Sequence, residues 1–168
     1  EALVVAAENF RTLDARVTLR KADALNGLAE VFPERFDVIV SNPPFFVDSL
    51  TCPDEGRTAV RHAVHLPFDD LRDAVLRLLA PAGRFAVILP TPEAARFLAV
   101  CAGRLALTRR TDVRTTPRRP AKRALMEFVR ADGGTEDPET SELVVGTGEH
   151  ECYTPEYRAL TRDFYLKF

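Results

Sequence analysis

The feature that most constrains this chain is a short apolar run followed by two consecutive prolines. It lies at residues 37–46, which have the sequence DVIVSNPPFF. Apolar residues without alternation are typical of a strand buried on both faces of a parallel sheet. Asn42 then offers an amide that both donates and accepts hydrogen bonds, and Pro43 and Pro44 lack N–H groups and fix φ. We therefore predict a buried strand that ends in a stiff loop with its carbonyl groups held in a preset direction.

This loop is suited to holding an amino group on a planar ring. One amino hydrogen can bond to the side-chain oxygen of Asn42 and the other to the Pro43 carbonyl, while the ring stacks on Phe45. The nitrogen lone pair then stays available for attack. The same residues also fit an X-Pro-Pro turn followed by a core phenylalanine, so residues 42–45 alone leave both interpretations open.

Two segments resemble a known family of enzymes. Asn42-Pro43-Pro44-Phe45 is similar to the signature of amino-methyltransferases, which move a methyl group from S-adenosylmethionine to a nitrogen of adenine, guanine or a glutamine side chain. Residues 153–168 (YTPEYRALTRDFYLKF) resemble the C-terminal signature of the bacterial valine-tRNA adenine-37 N6-methyltransferases. The resemblance extends over the whole chain, and it implies a catalytic role for the four residues of the Asn42 motif.

The resemblance also implies the fold class, an α/β protein with the Rossmann-like sheet of class I methyltransferases. In that family Glu8-Asn9 lies on the helix after the second strand. We therefore expect the sequence as given to lack the first strand, the glycine-rich loop that packs against the cofactor, and the second strand, and to expose an apolar sheet edge. We expect residues 1–168 to be the C-terminal part of a single catalytic domain, closed by a helix at 153–168.

Residues that follow another predicted strand are candidates for binding the cofactor. Residues 17–21 alternate like a strand and place Asp23 and Ala24 at the C-terminal edge of the sheet, where open α/β sheets bind ligands. Together with the resemblance, this position assigns Asp23, Ala24 and Asn42 to S-adenosylmethionine, with Asp23 accepting from its adenine amino group. The alternative for Asp23 is the N-cap of a helix over residues 24–31.

Periodicity predicts most of the remaining elements. Helices are expected at 1–10, 67–80, 92–103 and 154–166, the last with Thr154 as N-cap and Pro155 as its first residue. Strands are expected at 84–89, 105–113 and 123–130, with a further short strand at 142–146. In the methyltransferase fold, 105–113 and 123–130 would form the final antiparallel pair, at one edge of the sheet.

Basic residues are concentrated around the loop between these last two strands. Residues 109–130 contain eight Lys/Arg against two acidic residues, whereas 131–151 contain seven Asp/Glu and no Lys/Arg. A basic cluster beside a base-binding edge is typical of a protein that binds a phosphate backbone. The alternative is a solvated hairpin neutralised by the acidic segment. The candidates for RNA binding are Arg57, Arg61, Arg114, Arg118, Arg119, Lys122 and Arg123.

The first two candidates lie in a long connection, residues 47–66, which we interpret as a substrate-facing lid. Arg57 and Arg61 are four residues apart and would share one face of a helix, which suits phosphate contact. The alternative is a solvated basic turn paired with Asp54 and Glu55.

Composition narrows the class of protein further. An apolar content of 46% is enough for a core, and no apolar run reaches the roughly 20 residues needed to cross a bilayer. The three cysteines lack CxxC or metal-ligand spacing. We therefore expect a cytoplasmic protein with free thiols, without a metal and without a membrane partner.

The expected function is S-adenosylmethionine-dependent methylation of adenine N6 in tRNA. One alternative is a ribosomal-RNA guanine N2-methyltransferase, which can share the Asn42 motif. Another is a release-factor glutamine methyltransferase, although that family prefers Tyr where Phe45 stands. From a different class, the chain as given could be a catalytically idle RNA-binding fragment, because it lacks the glycine-rich cofactor loop.

Overall fold

The computed structural model describes residues 2–12, 17, 34–44, 66–132, 137–150 and 152–165. In chain order the elements are α1 (Ala2–Thr12), β1 (Phe36–Ser41), α2 (Phe68–Leu78), β2 (Leu79–Pro90), α3 (Thr91–Cys101), β3 (Leu105–Arg114), β4 (Ala121–Arg130), β5 (Glu139–Val144) and α4 (Pro155–Thr161). Apart from Val17, the predicted strand at 17–21 lies outside the described residues, as do the helix at 24–31 and the connection 47–65.

The five strands form one sheet in the order β1-β2-β4-β3-β5. β1 is parallel to β2 and β3 is parallel to β5, whereas β4 is antiparallel to both of its neighbours, β2 and β3. The carboxyl ends of β1, β2, β3 and β5 therefore meet at one edge of the sheet, which we call the carboxyl edge. β4 begins at this edge. Helices packed on a mostly parallel sheet confirm the predicted α/β class.

The core lies between the sheet and the helices α2 and α3. On β2 the buried side chains alternate, because Phe85, Val87 and Leu89 face the helices. Phe97 of α3 contacts Phe128 of β4 edge-to-face, with ring centroids 5.6 Å apart at 87°. Such an aromatic pair adds about 0.5–1.5 kcal/mol beyond the area it buries, so it fixes α3 firmly over the middle of the sheet.

The C-terminal end of α2 is held by an arginine from the sheet. Arg130, the last residue of β4, donates from Nη2 to the carbonyls of Leu76 and Leu79, the latter at 2.9 Å. The last carbonyls of a helix lack partners within the helix, and a cation there also faces the negative end of the helix dipole. Arg130 therefore fastens α2 to the sheet and ends the helix at Leu78.

The first predicted strand is present at 36–41, but it is not buried on both faces. Val38 and Val40 are 62% and 76% exposed, whereas Ile39 packs against the core. β1 is the outermost strand on its side of the described sheet, and the core covers only the face that holds Ile39. The prediction of a doubly covered strand is therefore wrong here, and the sheet exposes apolar surface at this end.

The boundary between α2 and β2 also differs from the prediction. The helix begins one residue later and ends two residues earlier than predicted, and β2 already includes Pro81-Ala82-Gly83 rather than starting at Arg84. The pairing register between β1 and β2 shifts in this stretch, between Phe36 and Val38. The irregularity allows Pro81 to sit in a strand that carries no regular ladder at that position.

The prediction that 105–113 and 123–130 form an edge pair is wrong in one respect. The pair is antiparallel as expected, but β5 extends the sheet beyond β3, in register from Arg109 with Glu139 to Arg114 with Val144. β5 starts earlier than the predicted strand at 142–146. The closing helix α4 is shorter than predicted, because residues 162–164 turn away from it after Thr161.

Gly83 provides a test of the tight entry into β2. A Cβ at this position would lie 2.8 Å from Leu79 Cδ1 and 2.9 Å from the Phe36 carbonyl oxygen. Since the Phe36 contact is with backbone, we expect Gly83→Ala to lower the free energy of unfolding by about 1–3 kcal/mol, measured by chemical denaturation. The exposed neighbour serves as control: Ala82→Ser should change stability by less than about 0.5 kcal/mol. Equal stability of the two variants would contradict the close approach.

Candidate functional site

The Asn42 motif lies where β1 ends at the carboxyl edge. Ser41 is the last paired residue, opposite Val87 of β2. Asn42 is exposed, Pro43 is buried and Pro44 is half-buried. The buried proline anchors the loop, and the amide of Asn42 stays accessible to a ligand. Within the part of the chain that the structure describes, no side chain or backbone group hydrogen-bonds to this amide.

Several predicted site residues cannot be placed. Phe45, Asp23, Ala24, Arg57 and Arg61 all lie outside the described residues. The structure therefore shows the backbone support of the motif but not its proposed stacking partner or its cofactor contacts.

The next strand end along the edge is tied to the start of β4. Pro90 closes β2 and Thr91 opens α3, where the Thr91 hydroxyl donates to the Ala121 carbonyl at 3.0 Å. Ala121 is the first residue of β4 and follows the basic segment. This bond joins the centre of the carboxyl edge to the loop between β3 and β4.

We call residues 114–122 the basic loop; they comprise the last residue of β3, the turn that follows it and the first two residues of β4. Its Arg118, Arg119 and Lys122 are exposed, as is Arg123 just beyond it. The side chains of Arg118, Arg119 and Lys122 make no hydrogen bond or ion pair with any residue the structure describes. Three cations thus face solvent at the carboxyl edge, the same edge that holds Asn42.

Arg114 behaves differently from the other basic residues of the loop. Its side chain is only 28% exposed and lies on the loop's own carbonyls and on Glu142 of β5. The sequence interpretation grouped Arg114 with the RNA contacts, and its engagement with main-chain carbonyls could not have been read from the sequence.

Among the described residues, the acidic segment forms an ion pair with one cation of the basic loop. In the described residues, the ion pair between it and the loop is Arg114–Glu142, with N–O distances of 3.1 Å. Other arginines of the sheet pair within the sheet, Arg109 with Glu127 and Arg110 with Asp112. The alternative of a fully neutralised hairpin is therefore not what the described residues show.

The C-terminal segment is attached beside the basic loop. Val145 N–H and Gly146 N–H donate to the carbonyls of Arg114 and Thr115, each at 2.9 Å. The Thr154 hydroxyl donates to the Val144 carbonyl at 2.5 Å and accepts from Tyr157 N–H at 3.2 Å. Thr154 is thus the predicted N-cap of α4 and also its link to the sheet, followed by Pro155 as predicted.

Aromatic side chains of the C-terminal segment contact one another. The rings of Tyr153 and Tyr157 lie 5.4 Å apart, and the hydroxyls of Tyr157 and Tyr165 lie 3.3 Å apart. This hydrogen bond raises the pKa of Tyr157 to about 12. Phe164 in the same segment is 86% exposed.

One open cleft among the described residues lies at the opposite edge of the sheet, away from Asn42. It has a volume of about 500 Å³ and is lined by Asp73, Leu76, Arg77, Gly103, Arg104, Arg130 and Asp132. A hydrogen bond from Arg72 holds the pKa of Asp73 below its usual range. Cationic and anionic groups are mixed in this open cleft, so it lacks the apolar walls typical of a small-molecule site.

Cysteine and metal chemistry do not define a site in the described residues. Cys101 is a free, buried thiol whose pKa burial raises to about 12, and Cys152 is free and exposed. These two agree with the predicted free thiols, and Cys52 lies outside the described residues. Where the structure describes side chains, no group of three His, Cys, Asp or Glu residues could hold a metal ion. None of the described helices is both long and apolar enough to cross a membrane.

Solved structures show the same fold. A predicted O-methyltransferase from Agrobacterium tumefaciens superposes with a TM-score of 0.62 at 18% identity, covering 92% of this chain and 66% of that protein. The M protein of the type I restriction enzyme EcoKI gives 0.53 at 15% identity, covering 95% of this chain and 38% of its own. At these identities both likenesses establish the fold alone.

Curated sequences share a higher identity with this chain than these solved structures do. No family model matches the chain. Curated proteins named tRNA1(Val) (adenine(37)-N6)-methyltransferase are 41% identical over 135 residues in Bacteroides thetaiotaomicron, 36% over 168 in Musicola paradisiaca and 43% over 133 in Phocaeicola vulgatus. These alignments cover 80%, 98% and 78% of this chain, but only 55%, 66% and 55% of the relatives. The chain, which spans little more than half to about two thirds of their length, belongs to the tRNA1(Val) (adenine(37)-N6)-methyltransferase family.

Proposed function

We propose that the complete protein transfers a methyl group to N6 of an adenine in tRNA, the adenine at position 37 of valine tRNA, and that this chain belongs to its catalytic domain. The observation that supports this most directly is the carboxyl edge. An accessible Asn42 amide, anchored by the buried Pro43, lies on the same edge as a loop with three solvent-facing cations. The names of the relatives supply the substrate.

Asn42 and the two prolines account for the acceptor chemistry. The Asn42 side-chain oxygen and the Pro43 carbonyl are neutral acceptors, and they suit the two hydrogens of an uncharged amino group. Holding both hydrogens in the plane of the loop orients the nitrogen lone pair toward the methyl donor. Phe45, by the motif resemblance, stacks on the base. The proton of the product can leave to water, so no strong general base is needed.

S-adenosylmethionine is the cofactor expected of this family, and when bound it supplies an electrophilic methyl group. The donor set of the described loop fits such a reaction because it is neutral and lies at the carboxyl ends of parallel strands, where open α/β sheets bind ligands. We assign Asn42, together with Asp23 and Ala24, to the cofactor side of the site.

The substrate must present its base outside a stack. Enzymes that act on a base amino group need the base extruded, and an adenine in a single-stranded anticodon loop costs less to extrude than one in a duplex. A tRNA loop is therefore a suitable substrate for a shallow site at a sheet edge. It also agrees with a cytoplasmic enzyme.

The basic loop would hold the phosphate backbone near the site. β1 and β4 are two positions apart in the sheet, and the pairing registers place the start of β4 about four residues farther along the strand direction than Asn42, so the two are separated by roughly 15–20 Å. Arg118, Arg119, Lys122 and Arg123 are thus close enough to contact the strand whose base enters the site. Arg57 and Arg61 are proposed as further phosphate contacts from the connection 47–66.

The reaction itself is tested by methyl transfer. The complete protein with labelled S-adenosylmethionine should label valine tRNA within total tRNA, and mass spectrometry of the nucleosides should identify N6-methyladenosine. Ribosomal RNA and release factor are offered in parallel. Methylguanosine in ribosomal RNA would keep the chemistry of the Asn42 motif and overturn the proposed substrate. Methylglutamine in release factor would do the same.

The role of Asn42 is tested by truncation. Asn42→Ala removes both the acceptor and the donors of the amide, and we expect methylation to fall by about 10²-fold because the amino group is no longer oriented. Affinity for tRNA should stay within about twofold, since the basic loop is intact. Methylation within a few-fold of the wild type would show that the catalytic loop lies elsewhere.

The role of the basic loop is tested by the salt dependence of binding. Arg118→Gln combined with Arg119→Gln should weaken tRNA binding and lower the slope of log affinity against log salt by about 1.5–2, since two phosphate contacts are lost. The control is Arg77→Gln with Arg104→Gln, which removes the same charge at the opposite edge of the sheet. Equal effects of the two double variants would show that the loop contributes to tRNA binding only through the net charge of the protein.

A further inference from the structure

Arg114 uses all three nitrogen atoms of its guanidinium group for contacts within the protein. Nε donates to the Arg119 carbonyl at 2.7 Å, and Nη2 donates to the Pro117 carbonyl at 2.5 Å. Nη1 donates to both carboxylate oxygens of Glu142 at 3.1 Å. The planar fork of an arginine is suited to this arrangement, because it binds three acceptors in one plane.

These contacts hold the basic loop in one shape. The loop contains Pro117 and Pro120, which donate no hydrogen bonds, and its internal backbone bond is the one from Arg119 N–H to the Thr116 carbonyl. The two carbonyls bound by Arg114 lie on either side of Arg118. The position of that residue, and of Arg119 next to it, therefore depends on the Arg114 side chain.

Glu142 fixes the orientation of Arg114 in turn. It lies on β5, in register with Asp112 of β3. Asp112 is engaged by Arg110, with an N–O distance of 2.8 Å, so the two neighbouring carboxylates bind different arginines. An exposed ion pair contributes only about 0–1 kcal/mol to stability. The main consequence of the Arg114–Glu142 pair is therefore the orientation of the Arg114 side chain.

We propose that Arg114 and Glu142 are positioning residues for RNA binding: Arg114 shapes the basic loop, Glu142 orients Arg114, and Arg118, Arg119 and Lys122 contact the phosphates. This proposal rests on the proposed function, and it replaces the direct RNA contact that the sequence suggested for Arg114. The acidic residue nearest to the loop thus assists the binding of a polyanion.

The sign of the effect at Glu142 distinguishes this role from simple electrostatics. Glu142→Gln removes a negative charge beside the basic loop, and net charge alone predicts tighter binding of RNA. If Glu142 orients Arg114, the same change loosens the loop and weakens binding. The two accounts therefore predict opposite outcomes for one substitution.

The experiment measures equilibrium binding of the complete protein to a valine tRNA anticodon stem-loop over a range of salt concentrations. We expect Glu142→Gln to weaken binding by about fivefold to tenfold, equivalent to roughly one phosphate contact. The matched control is Glu139→Gln, which removes the same charge from the same strand, at an exposed position that pairs in register with Arg109. The control should leave binding unchanged or tighten it.

Variants of Arg114 separate positioning from direct contact. Arg114→Lys keeps the charge but replaces the fork by a single ammonium, and we expect it to weaken binding like Glu142→Gln, whereas Arg110→Lys should not. Arg114→Gln should lower the salt slope by about two or more, because the neighbouring cations also lose their positions. If Arg114 instead contacted a phosphate directly, Arg114→Gln would lower the salt slope by about one, and Glu142→Gln would not weaken RNA binding.

Limited trypsin digestion reports on the loop without RNA. Cleavage after Arg118 should be faster in Glu142→Gln and Arg114→Lys than in the wild type, with unchanged far-UV circular dichroism, because the clamp on the loop is lost. Tighter RNA binding by Glu142→Gln, or an effect equal to that of Glu139→Gln, would overturn the proposal. If the Arg118→Gln, Arg119→Gln variant also binds RNA normally, the proposed RNA surface itself is wrong; if that variant binds weakly, only the positioning role fails.

Discussion

The candidate site depends above all on the direction of one strand. Among the described residues, four strands of the sheet run the same way, and β4 runs against them between β2 and β3. Because β3 and β4 are antiparallel neighbours, their connection stays at the carboxyl edge instead of crossing the sheet. The basic loop is therefore placed on the edge where β1 delivers Asn42. With β4 parallel, its first residues, including Lys122 and Arg123, would lie at the opposite edge of the sheet.

Packing holds β4 in that central position. Ala124, Met126 and Phe128 alternate on the face that contacts the core, and all three are buried. Phe128 stacks on Phe85 of β2 and meets Phe97 of α3 edge-to-face. Arg130, at the far end of the strand, binds the Leu76 carbonyl near the end of α2 and the Leu79 carbonyl at the start of β2. β4 is thus held by apolar burial along its length and by the hydrogen bonds of Arg130 at its end. The basic loop at its start is therefore attached to a fixed strand.

Sequence patterns predicted the elements whose formation depends on a few neighbouring residues. The β3 and β4 strands and the Thr154 cap appear within two residues of their predicted positions, since alternation and capping act over a few residues. The predicted strand at 142–146 overlaps β5, but the polar residues 139–141 at its start also pair with β3, which no local pattern indicates. The contacts of Arg114 were not predictable either, because no pattern reveals that a basic side chain binds the carbonyls of its own loop. The exposed valines of β1 likewise depend on which elements cover the sheet.

The distribution of ion pairs explains how a protein with a net charge of −2 presents cations at one edge. Three arginines on the strands are compensated on the strands: Arg110 by Asp112, and both Arg109 and Arg84 by Glu127. Glu142 is occupied by Arg114. Since these pairs are exposed or half-exposed, each contributes little to stability, but together they engage the nearby carboxylates. Within the described residues, Arg118, Arg119 and Lys122 are consequently left without an acidic partner, and their charge remains available to a polyanion approaching the carboxyl edge.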